Sequence, residues 1–243
     1  VLNSKITAVW LPENILMPNN LSDSIEDYLK AIYKLQQNES PVSTNALAAE
    51  LAIMPASVTG MLKKLADHQP ALVEYRRHHG VVLTPAGEKI ALEVLRHHRL
   101  IELYLMEALG YRWDEVHAEA ERLEHVISEE FEERIAHFLG HPTHDPHGDP
   151  IPTKDGHLPS SEGFRLCDLP THTPATVLRV ADSDPQLLRY LAEIGIRPDT
   201  PLTILSRTPF NDLLHVSIGG AEPVPLGLTV THCVWVKTHT THS

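Results

Sequence analysis

"VSTNALAAELAIMPASVTGMLKKLADHQ", residues 42–69, decides the fold. Thr44 can cap a short helix over residues 45–51, and "AIM" makes a tight turn. Pro55 suits the first turn of a second helix, because its missing N–H is an orphan there anyway. That helix turns Val58, Met61, Leu62 and Leu65 inward. Two short helices joined by a three-to-four-residue turn predict a helix-turn-helix.

The flanks extend this unit. "SDSIEDYLKAIYKLQ" (22–36) starts with a Ser/Asp cap and repeats apolar residues at helical spacing. "LVEYRRHHGVVLTPAGEKIA" (72–91) reads as strand, basic tip with Gly80, strand, then a helix from Pro85, which makes a wing. From about Thr84 to Leu139 the pattern is helical, interrupted at "LGYRWDE". Residues 140–163 are dense in Pro, Gly, His and Asp, a linker by composition. Beyond them "ATVLRVA", "PLTILSR", "LLHVSIG" and "CVWVKT" are short β-rich runs around a helical "PQLLRYLAEIG", which suggests a small barrel. The fold class expected is mainly α with a small β part.

The formal net charge of −12 argues against a generic nucleic-acid binder. Between residues 55 and 90, however, Lys63, Lys64, Arg76, Arg77 and Lys89 outnumber Asp67, Glu74 and Glu88. Pro55, Ala56, Ser57 and Thr59 are small or hydroxylated, so the start of the second helix can approach base edges and phosphates closely. Lys63, Lys64, Arg76 and Arg77 supply phosphate contacts. The bland alternative is a winged helix that contacts protein, since fold does not fix function. Two cysteines without a CxxC fit a reducing, cytoplasmic setting, and no apolar run is long enough to span a bilayer.

Seventeen histidines are many for 243 residues. In "AERLEHVISEEFEERI" (120–135), read as one helix, Glu121, Glu124 and His125 share a face. His98 and Glu102 stand at i, i+4, as do His117 and Glu121, and Asp27 faces roughly away from the apolar stripe of its helix. Each pair alone is more often a solvated helix pair. Together they put carboxylates and imidazoles on helices that could pack face to face, which is costly without a cation. A di-metal enzyme on a helical bundle would want Glu-x-x-His pairs on two helices; there is one cluster and no second copy.

"IEDYLKAIY", "MPASVTGMLKKL", "VVLTPAGEKIA", "RHHRLIELYL", "VHAEAERLEHVIS" and "DPHGDPIP" together resemble the diphtheria-toxin-repressor family of metal-dependent transcriptional regulators. "LLRYLAEIGIRPDTPLTIL" resembles the FeoA-like, SH3-like barrel that ends the longer members. The resemblance implies an N-terminal extension (1–21), a winged helix-turn-helix (22–91), a helical dimerisation and metal-binding domain (92–142), a linker (143–163), an SH3-like domain (164–238) and a tail (239–243). It implies a primary site of Asp27, Glu121, Glu124 and His125. The ancillary site would hold His98, Glu102 and His117, completed from the barrel by Asp184, with Asp182 or Gln186 as rivals. Carboxylates at positions 27 and 121 follow the manganese-responsive branch. The short manganese regulators carry a glutamate where this chain has Lys30, which favours two separated sites. The implied function is a non-enzymatic, homodimeric repressor on a palindromic double-stranded DNA operator, controlling metal-uptake genes. Mn(II) is the expected co-repressor and Fe(II) the alternative, with Zn(II), Co(II) or Cd(II) admissible in vitro. Oxygen-rich donors suit Mn(II), although affinity rises toward Zn(II) along the Irving–Williams series.

Overall fold

The structure is a computed structural model that describes residues 21–160, 163–209 and 212–238. All of the expected N-terminal extension but Leu21, and the expected tail at 239–243, lie outside the described residues.

The N-terminal unit is α1 (Asp23–Gln36), α2 (Thr44–Glu50), α3 (Pro55–Ala66), β1 (Val73–Arg76) and β2 (Gly80–Leu83). Helix α2 is capped by Ser43, whose hydroxyl accepts from the Ala46 N–H at 3.1 Å; Thr44 is the first helical residue instead of the cap. Pro55 opens α3. Ile25, Leu29 and Ile32 of α1 share one core with Leu47, Val58, Leu62, Leu65 and wing residues Val73 and Val81. β1 and β2 pair antiparallel, from Val73↔Leu83 to Arg76↔Gly80. Gly80 has φ +98°, and a Cβ there would stand 2.6 Å from the Val42 carbonyl oxygen, so the wing packs against the strand-like entry to α2 only with glycine.

The long helix α4 (Pro85–Leu109) starts at Thr84, whose hydroxyl accepts from the Gly87 N–H. Its first half closes the N-terminal core through Ile90 and Val94. Its second half carries α5 (Val116–Leu123) and α6 (Glu129–Phe138). Residues 120–135 are therefore not one helix. α5 ends at Leu123, a turn follows, and Ser128 recaps the chain by accepting from the Phe131 N–H.

The Pro/His/Asp-rich segment is not a loose tether. His147 is fully buried, Asp145 and Ile151 are nearly so, and the Arg99 guanidinium donates to the Pro150 carbonyl. The C-terminal unit comprises β3 (Phe164–Arg165), β4 (Pro174–Val180), α7 (Pro185–Glu193), β5 (Pro201–Arg207), β6 (Leu214–Ile218), β7 (Val224–Leu226), α8 (Leu228–His232) and β8 (Val234–Thr238). Its six strands form one antiparallel sheet in the order β3-β8-β4-β5-β6-β7, around a core including Val177, Leu188, Ile204, Val216 and Val236. Trp113, from the α4–α5 connection, joins that core and so anchors the sheet domain to the helices. Among the described residues no single helix is long and apolar enough to cross a membrane.

Candidate metal centre and DNA-reading surface

Three elements converge beside the DNA-reading unit: α1, the middle of α4, and the α5–α6 turn. Asp27, Glu124 and His125 bring donor atoms within 4.8 Å of one another. His125 Nε2 lies 2.9 Å from Asp27 Oδ1 and 3.4 Å from Glu124 Oε1. Its other nitrogen, Nδ1, is 2.6 Å from Glu26 Oε2. An imidazole that offers one nitrogen to an ion characteristically donates the other N–H to a carboxylate, which fixes its orientation. Glu26 meets that requirement; it stands beside Asp27 in sequence, but no spacing rule singled it out.

Glu121 is held apart from this trio. The Lys30 ammonium, only 5% exposed, donates to Glu121 Oε1 at 2.7 Å and to Glu124 Oε1. The carboxylates therefore do not face one another uncompensated, as the sequence suggested, because the chain brings its own cation. Burial disfavours a charged Glu121, but the Lys30 charge overrides it and holds the carboxyl down at about 2. Glu121 Oε1 also lies 3.8 Å from His98 Nδ1 and 3.9 Å from His117 Nε2, between the two expected sites.

The second cluster is His98, Glu102, His117 and Asp182. Glu102 Oε1 is 2.9 Å from His98 Nε2 and 3.0 Å from His117 Nδ1. Asp182 Oδ2 is 3.6 Å from His117 Nδ1. Asp184 is not part of it. Its carboxylate caps α7 by accepting from the Gln186 N–H at 2.8 Å, the role an aspartate before a proline at N1 is suited to. Gln186 lies within that same cap.

The clusters suit a divalent ion on the evidence of their own atoms. Among the described residues both clusters combine imidazole nitrogens with carboxylate oxygens, the Lys30 ammonium standing beside Glu124, and the buried Glu102 Oε2 has no hydrogen-bond partner. That oxygen faces His147 Nδ1 at 3.8 Å, while His147 Nε2 donates to the Trp113 carbonyl at 2.8 Å. Burial opposes protonation of His98, His125 and His147. The facing carboxylates prevail and hold their pKa values up at about 9, about 10 and about 9.

The expected DNA-contacting residues fall on α3 and on the wing of the N-terminal unit. Pro55, Ala56, Ser57, Lys63, Lys64, Arg76 and Arg77 are exposed. Thr59 is half-buried, its hydroxyl donating to the Pro55 carbonyl at 3.2 Å. Asp27 lines, with Ser57 and Lys64, a cleft of about 510 Å³ between α1 and α3. Asp27 of the first cluster and two of the expected DNA-contacting residues thus line one cleft.

Residues 20–81 match the family model for the iron dependent repressor N-terminal DNA binding domain. Residues 84–153 match that for the iron dependent repressor metal binding and dimerisation domain, and residues 164–238 match the FeoA domain. The chain is 32% identical over 231 residues to the iron-dependent repressor IdeR of Mycobacterium tuberculosis, covering 90% of this chain and 99% of that one. It is 31% identical over 206 residues to the diphtheria toxin repressor of Corynebacterium diphtheriae, covering 81% and 90%. Among solved structures, one described as a manganese-dependent transcriptional repressor in complex with manganese superposes with a TM-score of 0.82 at 40% identity, covering 88% of this chain and all of that one. ScaR with bound Zn2+ superposes at 0.74 and 32% identity, covering 88% and 98%. With DNA-binding, metal-binding and dimerisation, and FeoA domains in that order, the chain belongs to the diphtheria-toxin-repressor family of metal-dependent, DNA-binding transcriptional repressors, which are not enzymes.

Proposed function

We propose that the chain is a Mn(II)-activated repressor of metal-uptake genes, acting as a homodimer on a palindromic operator. Asp27, Glu124 and His125 form the primary site, with Glu121 in reach once released from Lys30. His98, Glu102, His117 and Asp182 form the ancillary site. The observation that carries this reading is the meeting of α1, which belongs to the reading unit, with the α5–α6 turn across His125 and Asp27 at 2.9 Å.

A divalent cation held there supplies positive charge that locks carboxylates from both units into one arrangement. The residues do the rest. Asp27 ties α1, and through the core that α1 shares with α3 the reading helix, to the helical domain. Glu26 orients His125, and Glu124 and His98 join the two sites. The outcome is a shift toward one pose of the reading heads, driven by the differential affinity of the cation for that pose. Exposed Val126, Phe131 and Phe138, in the region matched by the dimerisation model, supply apolar area for a partner copy.

Mn(II) is favoured over Fe(II) because among the described residues no cysteine enters either cluster, and carboxylates supply two of three donors in the first and two of four in the second. The solved relatives described as manganese-dependent support it, while the relatives named iron-dependent keep Fe(II) as the second reading. Anaerobic titration of the apo-protein with Mn(II) or Fe(II), read out by operator binding, separates the two. Asp27→Ala should abolish the metal dependence of DNA binding; an unchanged Mn(II) response would remove the primary-site assignment.

A further inference from the structure

His97 adjoins His98 on α4 but faces a different neighbour, the first turn of α6. Its Nδ1 lies 3.1 Å from the Glu124 backbone carbonyl. A carbonyl oxygen only accepts, so Nδ1 carries a proton and Nε2 is the ring atom turned toward the carboxylates. The side chain is 9% exposed, and Nε2 has no hydrogen-bond partner. It faces Glu132 Oε2 at 3.5 Å and Glu129 Oε1 at 3.7 Å. Glu93, one turn earlier on α4, brings its carboxylate into the same space: donor atoms of Glu93, His97 and Glu129 lie within 4.8 Å of one another.

These distances are too long for charge-assisted hydrogen bonds, which close to about 2.7–2.9 Å. They fit atoms arranged around an ion: two adjacent donors each about 2.2 Å from a divalent cation are about 3.1 Å apart in octahedral and about 3.6 Å apart in tetrahedral geometry. Glu93, Glu129 and Glu132 bring three carboxylates together; Arg96 takes the other oxygen of Glu132 at 2.5 Å, and the charges of Lys89 and Lys154 act on the group as well. Crowding shows at Glu93, where burial and then the neighbouring Glu129 carboxylate push the carboxyl up.

We propose that Glu93, His97 and Glu129, backed by Glu132, form a third divalent-cation site, separate from the primary and ancillary clusters. One imidazole among carboxylates suits a first-row divalent ion of the harder kind, Mn(II) or Fe(II). The site bridges α4 to the start of α6 and so closes the turn that bears Glu124 and His125. Its occupancy orders the ligands of the primary site. That regulatory consequence rests on the primary-site reading, whereas the cation site itself does not.

The test is a count of Mn(II) bound per full-length chain, by equilibrium dialysis with free Mn(II) read by EPR. Glu93→Gln combined with Glu129→Gln should bind one ion fewer than the unaltered protein, and His97→Gln should do the same. Asp27→Ala combined with His98→Ala should still bind one ion. Should the Glu93→Gln, Glu129→Gln protein bind as many ions as the unaltered one, the cluster is an imidazolium held by carboxylates and the proposal is overturned. Loss of every ion from the Asp27→Ala, His98→Ala protein would overturn it too. If that protein instead loses no ions, the primary and ancillary assignments fail and the third site is judged on the glutamine variants alone.

Discussion

His98 touches both candidate clusters: its Nδ1 lies 2.5 Å from Glu124 Oε2, and its Nε2 lies 2.9 Å from Glu102 Oε1. The two proposed sites therefore share an imidazole instead of merely neighbouring one another. An ion held at Nε2 fixes the ring, and Nδ1–H then fixes Glu124. Outer-shell partners of this kind characteristically change metal affinity by about 10–100-fold. Accordingly, His98→Ala should remove the ancillary ion and also weaken Mn(II) at the primary site by about tenfold or more. Glu102→Gln, which leaves the His98–Glu124 bond in place, should remove the ancillary ion with a smaller effect on the primary one. Two-site Mn(II) isotherms compare them; equal primary-site affinities in both variants would break the link.

Protonation opposes metal binding at both sites. Burial disfavours the His125 imidazolium, but Asp27 and Glu26 hold the proton on up to about pH 10. For His98, Glu102 and then Glu124 outweigh burial up to about pH 9. An ion must displace those protons, so Mn(II) affinity should rise with pH by about tenfold per unit and per proton released, below pH 9. The metal-free fold behaves in the opposite sense. Folded pKa values above the ordinary 6.5 give stabilisation that is complete below about pH 6.5 and lost as pH climbs through about 9 to 10. The apo melting temperature should fall over that window. Calorimetric titrations at several pH values test the first expectation, and a flat affinity between pH 6 and 8 refutes it.

Lys30 should set how strongly the empty-handed protein depends on metal. Its buried ammonium compensates Glu121 and Glu124. Lys30→Met takes the ammonium from both carboxylates and leaves Glu124 only its His98 and His125 neighbours, at a cost of roughly 3 kcal/mol in the apo state. That is the low end for orphaning buried charge, because water screens the 38%-exposed Glu121 side chain. A cation can restore the balance, so the variant should show a lower apo melting temperature and a larger upward shift on adding Mn(II). Equal shifts in both proteins would mean that Lys30 does not compete with the metal.

Local signals carried most of the architecture. The stripe of Ile25, Leu29 and Ile32, Pro55 at the start of α3, and Gly80 at the wing each act within a few residues, and each forms what its chemistry dictates. Misreadings arose where a pattern had two solutions. Ser43 and Thr44 are both capping hydroxyls, and the upstream one took the role. "ERLEHVIS" has helical spacing, yet the chain turns after Leu123 because Ser128 starts a new helix. Asp184 precedes a proline and caps α7, while Asp182, its rival in the sequence, is the carboxylate that faces His117. Lys30 could not be read at all from its surroundings: its partners lie 91 and 94 residues away, and only tertiary packing brings them together.

The reading surface makes the last expectation. α3 begins with exposed Pro55, Ala56 and Ser57, and the wing tip exposes Arg76 and Arg77, in a chain whose net charge is −12. Groove entry by α3 puts its first turn against base edges and the wing against backbone phosphates. A carboxylate at position 57 would then meet phosphates or base acceptors, so Ser57→Glu should eliminate operator binding even with saturating Mn(II). Arg77→Ala should act differently. It should weaken binding to operator and unrelated DNA alike, and flatten the plot of log affinity against log salt by roughly one unit for the lost phosphate contact. Footprinting and salt titration of both variants separate the two roles. If Ser57→Glu protects the same bases with unchanged affinity, α3 is not the recognition helix, and the basic wing alone must account for binding.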